Sequence, residues 1–308
     1  DVCSSDLGFE PIGDQLSSTE GGNAELQPEE ADTFTVGVVY SPSYLENFEF
    51  TMDYWDIELT NAISTVGEQL ILDNCAFRGI DCDKITRFTS GVLAGNSSDI
   101  DNRNANVGGV DSSGYDFNIR YNFETELGLV KINLDTTYYD KYDKTLADGS
   151  IVPHAGRYWD SSSGDGNFAR VKSNLNFGLF NDDWSANYTI RYISSVSELV
   201  GNFDKFVADA DGEPTTALTP IANGFWSNEV FVDGVSQNTI DVFRDVGSHV
   251  IHDIRFTYFI YGYSVSLGVD NIFDEDPPYM SSGFNDNTDP RTYNTQGRHV
   301  SLALSASF

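Results

Sequence analysis

The sequence predicts an all-β chain of the antiparallel, up-and-down transmembrane β-barrel class. Three observations carry that prediction. Nine segments alternate apolar and polar residues with a period of two, the signature of strands whose two faces meet different media. The connections between them alternate short and long, which gives a meander one plain end and one elaborated end. No stretch approaches the roughly 20 consecutive apolar residues that a membrane-spanning helix requires.

The elements follow in order. In residues 32–41, Phe34, Val36, Val38 and Tyr40 share a face, and in 47–59 Phe48, Phe50, Met52 and Tyr54 oppose Glu49, Thr51 and Asp53 until Trp55 and Ile57 break the pattern. Next, Tyr115, Phe117, Ile119, Tyr121 and Phe123 oppose Asp116, Asn118, Arg120 and Asn122. From Gly128, Val130, Ile132, Leu134 and Tyr138 oppose Lys131, Asn133, Asp135 and Tyr139. Val171, Leu175, Phe177 and Leu179 mark the fifth segment, and Trp184, Ala186, Tyr188, Ile190 and Tyr192 the sixth. Val250, Ile254, Phe256, Tyr258 and Ile260 mark the seventh; Tyr263, Val265, Leu267 and Val269 the eighth; Val300, Leu302, Leu304, Ala306 and Phe308 the ninth.

Short links fall at PSYLE, ETEL, NDD and Tyr261–Gly262, and long ones at about residues 60–112, 141–166, 196–247 and 274–297. Greek-key sandwiches scatter long connections over both ends, whereas outer-membrane barrels keep short turns on one side. Tyr40, Trp55, Tyr138, Trp184, Tyr192 and Tyr263, near segment ends, suit interfacial aromatic belts, although each ring also suits ordinary cross-strand packing. An odd strand count does not close a barrel of the usual even number, so residues 1–308 read as the C-terminal part of a larger barrel. The start at Asp1, without a basic or apolar leader, reads as that of a processed or truncated piece.

Composition narrows the function. With 48 Asp plus Glu against 17 Lys plus Arg, the formal net charge is -31, which excludes duplex nucleic acid as a partner because phosphate neutralisation needs surplus cations. Cys75 and Cys82, seven apart in NCAFRGIDC with no nearby His, fit a small disulfide-closed loop and an oxidising compartment better than a zinc site; Cys3 is left over.

The runs LQPEEADTFTVGVVYSP, FTMDYWDIELTNAI, GYDFNIRYNF, GVDNIFDEDPPY and GRHVSLALSASF resemble, in that order, the C-terminal barrel of TonB-dependent outer-membrane receptors. NCAFRGIDCDKITR is similar to the cysteine-bearing loop of one branch of that family. The resemblance implies a complete barrel of about 22 strands, with an N-terminal plug and TonB box not visible in this chain. It also implies an outer-membrane location, energy from the TonB-ExbB-ExbD complex through that plug, contact with outer-membrane lipid and lipopolysaccharide, and a terminal Phe308 read by the barrel-assembly machinery. The implied activity is uptake of a scarce nutrient, an oligosaccharide ahead of a siderophore, cobalamin or peptide. A passive porin or adhesin and a secreted soluble glycan-binding protein share parts of the pattern.

Catalysis has no support in the sequence. His249 and His252 lie three apart on a strand and face opposite sides, His154 and His299 are isolated, and no G-x-S-x-G or H-E-x-x-H motif occurs. Neither a cofactor nor a metal site is expected: Asp209, Asp211 and Gly212 in DADGE, and Asp286 and Asp289 in FNDNTDP, read as solvated acidic loops. The long connections do hold aromatics in polar settings, where a ring face beside carboxylates and amides suits a neutral sugar. Tyr158, Trp159, Phe225 and Trp226 are the candidate ligand-binding residues, with Phe203 and Phe206 nearby in sequence. Rings that anchor the loops on one another would leave the same pattern.

Overall fold

The computed structural model describes residues 17–90, 97–159, 166–204, 225–232, 235–280 and 287–306. Among them nine strands hydrogen-bond in chain order. They are β1 (Glu30–Tyr40), β2 (Phe48–Thr60), β3 (Gly109–Thr125), β4 (Gly128–Thr145), β5 (Val171–Phe180), β6 (Trp184–Ile193), β7 (His249–Ile260), β8 (Tyr263–Asp270) and β9 (His299–Ala306). A short tenth strand, Ile151–Pro153, pairs with β4 off this path. The expected meander is therefore present, with the short links at 41–47, 126–127, 181–183 and 261–262. Among the described residues no helix is long and apolar enough to cross a membrane.

Register turns the alternation of single strands into continuous rows. Ile132, Phe177, Tyr188, Ile254, Val269 and Val300 lie opposite one another from β4 to β9, and Val130, Leu179, Ala186, Phe256, Leu267 and Leu302 form the next row. Directly opposed residues share a face, so these rows make one apolar surface and the intervening rows, such as Asn133, Asn176, Thr189 and Asp253, make a polar one. Exposure of Leu302 at 70% and Leu304 at 76% shows that this apolar face has no protein cover.

Two strands run further than their patterning indicates. β3 has 17 residues and β4 has 18, both continuing past the alternating core into GVDSSG and DKYDKT. Apart from Val110 and from Tyr142, whose ring packs on Phe168 at 4.4 Å between centroids, those extensions are small or polar on both faces, as suits backbone that keeps its ladder bonds beyond an apolar medium.

An aromatic row crosses β1 to β4 on the apolar face: Phe34 to Tyr54 at 6.4 Å, Tyr54 to Tyr115 at 5.2 Å and Tyr115 to Tyr138 at 6.3 Å between ring centroids. Trp55 corrects the expectation of a belt position. Its neighbour Tyr54 occupies the row, and adjacent strand residues face opposite ways, so Trp55 lies on the polar side, edge-on to Tyr139 at 5.4 Å. Gly114 makes room for it, since a Cβ there would sit 2.6 Å from Trp55 Cζ2.

The chain divides into two compact units. Asp1–Asp32, Ile57–Asp111 and Lys144–Val152 form the first. Its described core joins Ile71, Ile85 and Ile100 with Val66, Leu72 and Cys75 beneath the helix α1 (Glu68–Asp73) and a three-stranded sheet of 18–19, 97–101 and 85–87. Cys75 and Cys82 form the expected disulfide, with Cα atoms 4.7 Å apart. Asp81 closes that loop in a left-handed conformation, φ 60°. Its carboxylate accepts from Lys84 at 2.9 Å and from Asn74 at 2.8 Å, and these donors, Lys84 first, hold its pKa below the usual range.

The second unit, Thr33–Asp56, Ser112–Asp143 and Pro153–Phe308, contains most of the meander and a five-stranded sheet built from its long connections.

Candidate functional site

The five-stranded sheet runs, in spatial order, 166–167, 157–159, 196–204, 235–246 and 225–232. It draws on two long connections, and its register brings together residues far apart in sequence. Asn167, Tyr158, Glu198, Arg244 and Phe225 fall in one transverse row. Gly166 pairs with Trp159, and Leu199 with Phe243, which pairs with Trp226, in the alternating positions. All four candidate residues thus belong to a single sheet.

The first row is buried at its centre. Tyr158 is 1% exposed and joins Ala169, Val196, Val246, Met280 and Tyr293 in one cluster, with Ile193 packed against it. Its ring faces are covered by protein, so in this structure Tyr158 anchors the loops and presents no stacking surface. Trp159, Phe225 and Trp226 are placed by strand register alone, and Phe203 pairs with Ile240. Phe206, Asp209, Asp211, Gly212, Asp286 and Phe308 lie outside the described residues.

Beside Tyr158, the carboxylate of Glu198 is fully buried and accepts from Arg244 Nη2 at 2.7 Å. The same nitrogen donates to the Tyr279 carbonyl at 2.6 Å, and the guanidinium sits 4.9 Å from the centre of the Tyr279 ring. A buried carboxylate needs a partner, and Arg supplies charge and geometry together. Sequence reasoning missed this pair. A Glu in the apolar parity of VSELV was the available signal, but its partner is 46 residues away.

Tyr293 seats the last long connection on the cluster. Asn167 Nδ2 donates to its hydroxyl at 3.1 Å, and His249 meets its ring edge to face at 5.3 Å. Burial, with Asp289 nearby, pushes the Tyr293 pKa up. Asp289 organises the preceding turn: Oδ1 accepts from Arg291 N at 3.1 Å, and its carbonyl accepts from Tyr293 N at 2.9 Å. His252 lies on the other face from His249 and hydrogen-bonds Tyr188 at 2.7 Å, as their spacing implies.

Among the described residues no group of three or more His, Cys, Asp and Glu side chains is placed to hold a metal ion. On the polar face of the meander a recess of about 50 Å³ is lined by Arg191, Asp270, Asn271, Asn294, Gln296 and His299. Arg191 clamps Asp253 there at 2.9 and 3.2 Å, and Asp253 Oδ1 also accepts from Asn271 N at 2.8 Å.

A family profile described as TonB dependent receptor-like, beta-barrel, matches residues 6–272. No curated protein matches the chain. Among solved structures, a mutant of the ferric enterobactin receptor PfeA from Pseudomonas aeruginosa is similar at 17% identity and TM-score 0.56, covering 94% of this chain and 32% of its own. The siderophore receptor PirA from Acinetobacter baumannii is similar at 15% identity and TM-score 0.54, covering 94% and 33%. The outer membrane transporter YddB from Escherichia coli is similar at 11% identity and TM-score 0.56, covering 96% and 35%. The chain spans about a third of the length of these structures, and at such identities the likeness carries the fold.

Proposed function

Because this chain belongs to the family of TonB-dependent receptor β-barrels, and so to the outer membrane, we propose that it forms the C-terminal part of a receptor that takes up a scarce nutrient by TonB-energised transport. The family is one of receptors and transporters, not enzymes. The observation that carries the proposal is the profile match over residues 6–272, together with a meander whose long connections gather at one end. In this reading a plug supplied by the rest of the receptor meets the polar face of the strands. The TonB-ExbB-ExbD complex pulls on that plug, and the barrel-assembly machinery reads Phe308.

The ligand we propose is an oligosaccharide gripped at the loop sheet. Trp159 and Trp226 stand in positions that alternate with the buried Tyr158 row, which supports them as stacking residues, with Phe225 at the sheet edge. Arg244, the described basic residue of this sheet's central row, is engaged by Glu198 and the Tyr279 carbonyl. That leaves its charge matched and favours a neutral ligand over an anionic chelate.

The test is uptake by cells carrying the intact receptor, with maltohexaose and ferric enterobactin as probes. The proposal expects TonB-dependent accumulation of the sugar, reduced about tenfold or more by Trp226→Ala, as loss of one stacking ring costs ~1–2 kcal/mol. Accumulation of the ferric chelate alone would reassign the ligand; accumulation of neither, or without TonB, would remove the uptake reading for these substrates.

A further inference from the structure

The polar face of β2, β3 and β4 holds a pair of aromatic rings. Among Thr51 and Asp53 of β2, Asn118 of β3 and Asn133 and Asp135 of β4, Trp55 meets Tyr139 edge to face with ring centroids 5.4 Å apart. Gly114, on the strand between them, leaves the space in which the rings meet, since a Cβ there would come 2.6 Å from Trp55 Cζ2. Tyr139 is braced in turn. Tyr142 meets its ring at 6.3 Å, and Arg170 Nη1 donates to its carbonyl at 3.2 Å.

An indole on a face of acids and amides has no apolar core to join. Neither buried apolar cluster of the described residues contains Trp55 or Tyr139, and both rings stay half-buried. Both also fall in the half of their strands nearer the long connections, at the elaborated end of the polar face. Beside them lies a fixed acceptor. Asp116 follows Gly114 at the same parity, and its Oδ1 accepts from Thr137 Oγ1 at 2.6 Å. Thr137 steadies the carboxylate through one oxygen and leaves the other to accept from a ligand.

These groups select a class of ligand. A pyranose offers an apolar face that stacks on an indole and a rim of hydroxyls that donate to carboxylates. Asp53, Asp116 and Asp135 repel an anionic ligand. A cation is disfavoured because the two rings touch each other and leave no cleft between them to enclose it.

We propose that Trp55, Tyr139 and Asp116 form a stacking site for one pyranose ring of a neutral oligosaccharide, on the strand wall and apart from the four residues of the loop sheet. This site presupposes the oligosaccharide reading and adds that the strands, as well as the loops, select the sugar.

The test is hydroxyl-radical footprinting of the intact detergent-purified receptor, with and without saturating maltohexaose, read at each tryptophan by peptide mass spectrometry. Trp55 is expected to react in the free receptor and to lose that reactivity when the sugar is bound. Affinity measured by calorimetry should fall about tenfold in Trp55→Ala and about fivefold in Asp116→Asn, whose amide oxygen keeps the Thr137 bond. If Trp55→Ala does not fold, as judged by circular dichroism, Asp116→Asn and the wild-type footprint decide. Protection of Trp159 or Trp226 without Trp55 overturns the site and leaves the loop-sheet reading standing. Protection of Trp55 alone keeps the site and removes the loop-sheet grip, and protection of no tryptophan removes both. A Trp55 that is unreactive before sugar is added would show that protein covers it, which also overturns the site, as does unchanged affinity in Trp55→Ala.

Discussion

Arg244 meets Glu198, directly opposite it on the neighbouring strand, at 2.7 Å, holding a fully buried carboxylate by a guanidinium that is itself mostly covered. Removing one partner of such a pair leaves the other charge buried and unmatched, which costs roughly 3–5 kcal/mol. Glu198→Ala is expected to open the loop sheet locally, read as faster amide exchange in 196–204 and 235–246, while β5 to β9 stay protected. The double change Glu198→Leu with Arg244→Leu should recover most of that protection. Unchanged exchange in Glu198→Ala would show that the pair does not hold the sheet.

Trp55 and Tyr139 meet above Gly114, where no side chain fits without displacing the indole. Gly114→Val is expected to destabilise by about 1–3 kcal/mol through overpacking. Urea unfolding should show a lowered midpoint, with a red-shifted Trp emission in the folded state. Gly22, with open space around it, is the control: Gly22→Ala should leave the midpoint alone.

Asp101 accepts from Arg103 Nε at 2.8 Å and from Nη2 at 2.6 Å, which holds its pKa at about 2. An unfolded Asp titrates near ~3.9. A depressed carboxyl stabilises the fold above the unfolded value and loses that contribution as pH falls from about 4 to 2. Carbonyl-detected NMR should find the Asp101 carboxyl titrating near that lower value, and Arg103→Gln should return it toward the ordinary one. An ordinary titration in the wild type would show that the pair does not persist in solution.

The Cys75–Cys82 bridge closes a short loop whose tip carries exposed Phe77 and Arg78. Closing so small a loop is worth ~2 kcal/mol by chain entropy. Reduction, or Cys75→Ser with Cys82→Ser, should accelerate trypsin cleavage after Arg78 by about tenfold or more. An unchanged rate would mean that Asn74, Lys84 and Asp81 hold the loop without the bridge.

Legibility in the sequence followed the range of the physics. Strand alternation is local, because each Cβ points away from its neighbour's, so Val130, Leu179, Phe256 and Leu302 declared their face residue by residue and register later aligned them. The disulfide was readable for the same reason, with its cysteines seven apart. Trp55 was misread because its size drew it into a belt, although parity with Tyr54 already excluded it. β3 and β4 were underestimated because their outer ends meet no apolar medium and so show no alternation.

The sequence alone determined that this chain is a meander of antiparallel strands with one greasy face, one polar face and one elaborated end. Those features are written in periodicity and in the spacing of turns, which act over a few residues. Only tertiary structure decided that Tyr158 is a buried anchor, that Glu198 and Arg244 meet across 46 residues, and that Tyr188 and His252, 64 residues apart, share a hydrogen bond. Each depends on which distant strands pair and in what register, and loop residues carry no period from which that pairing can be read.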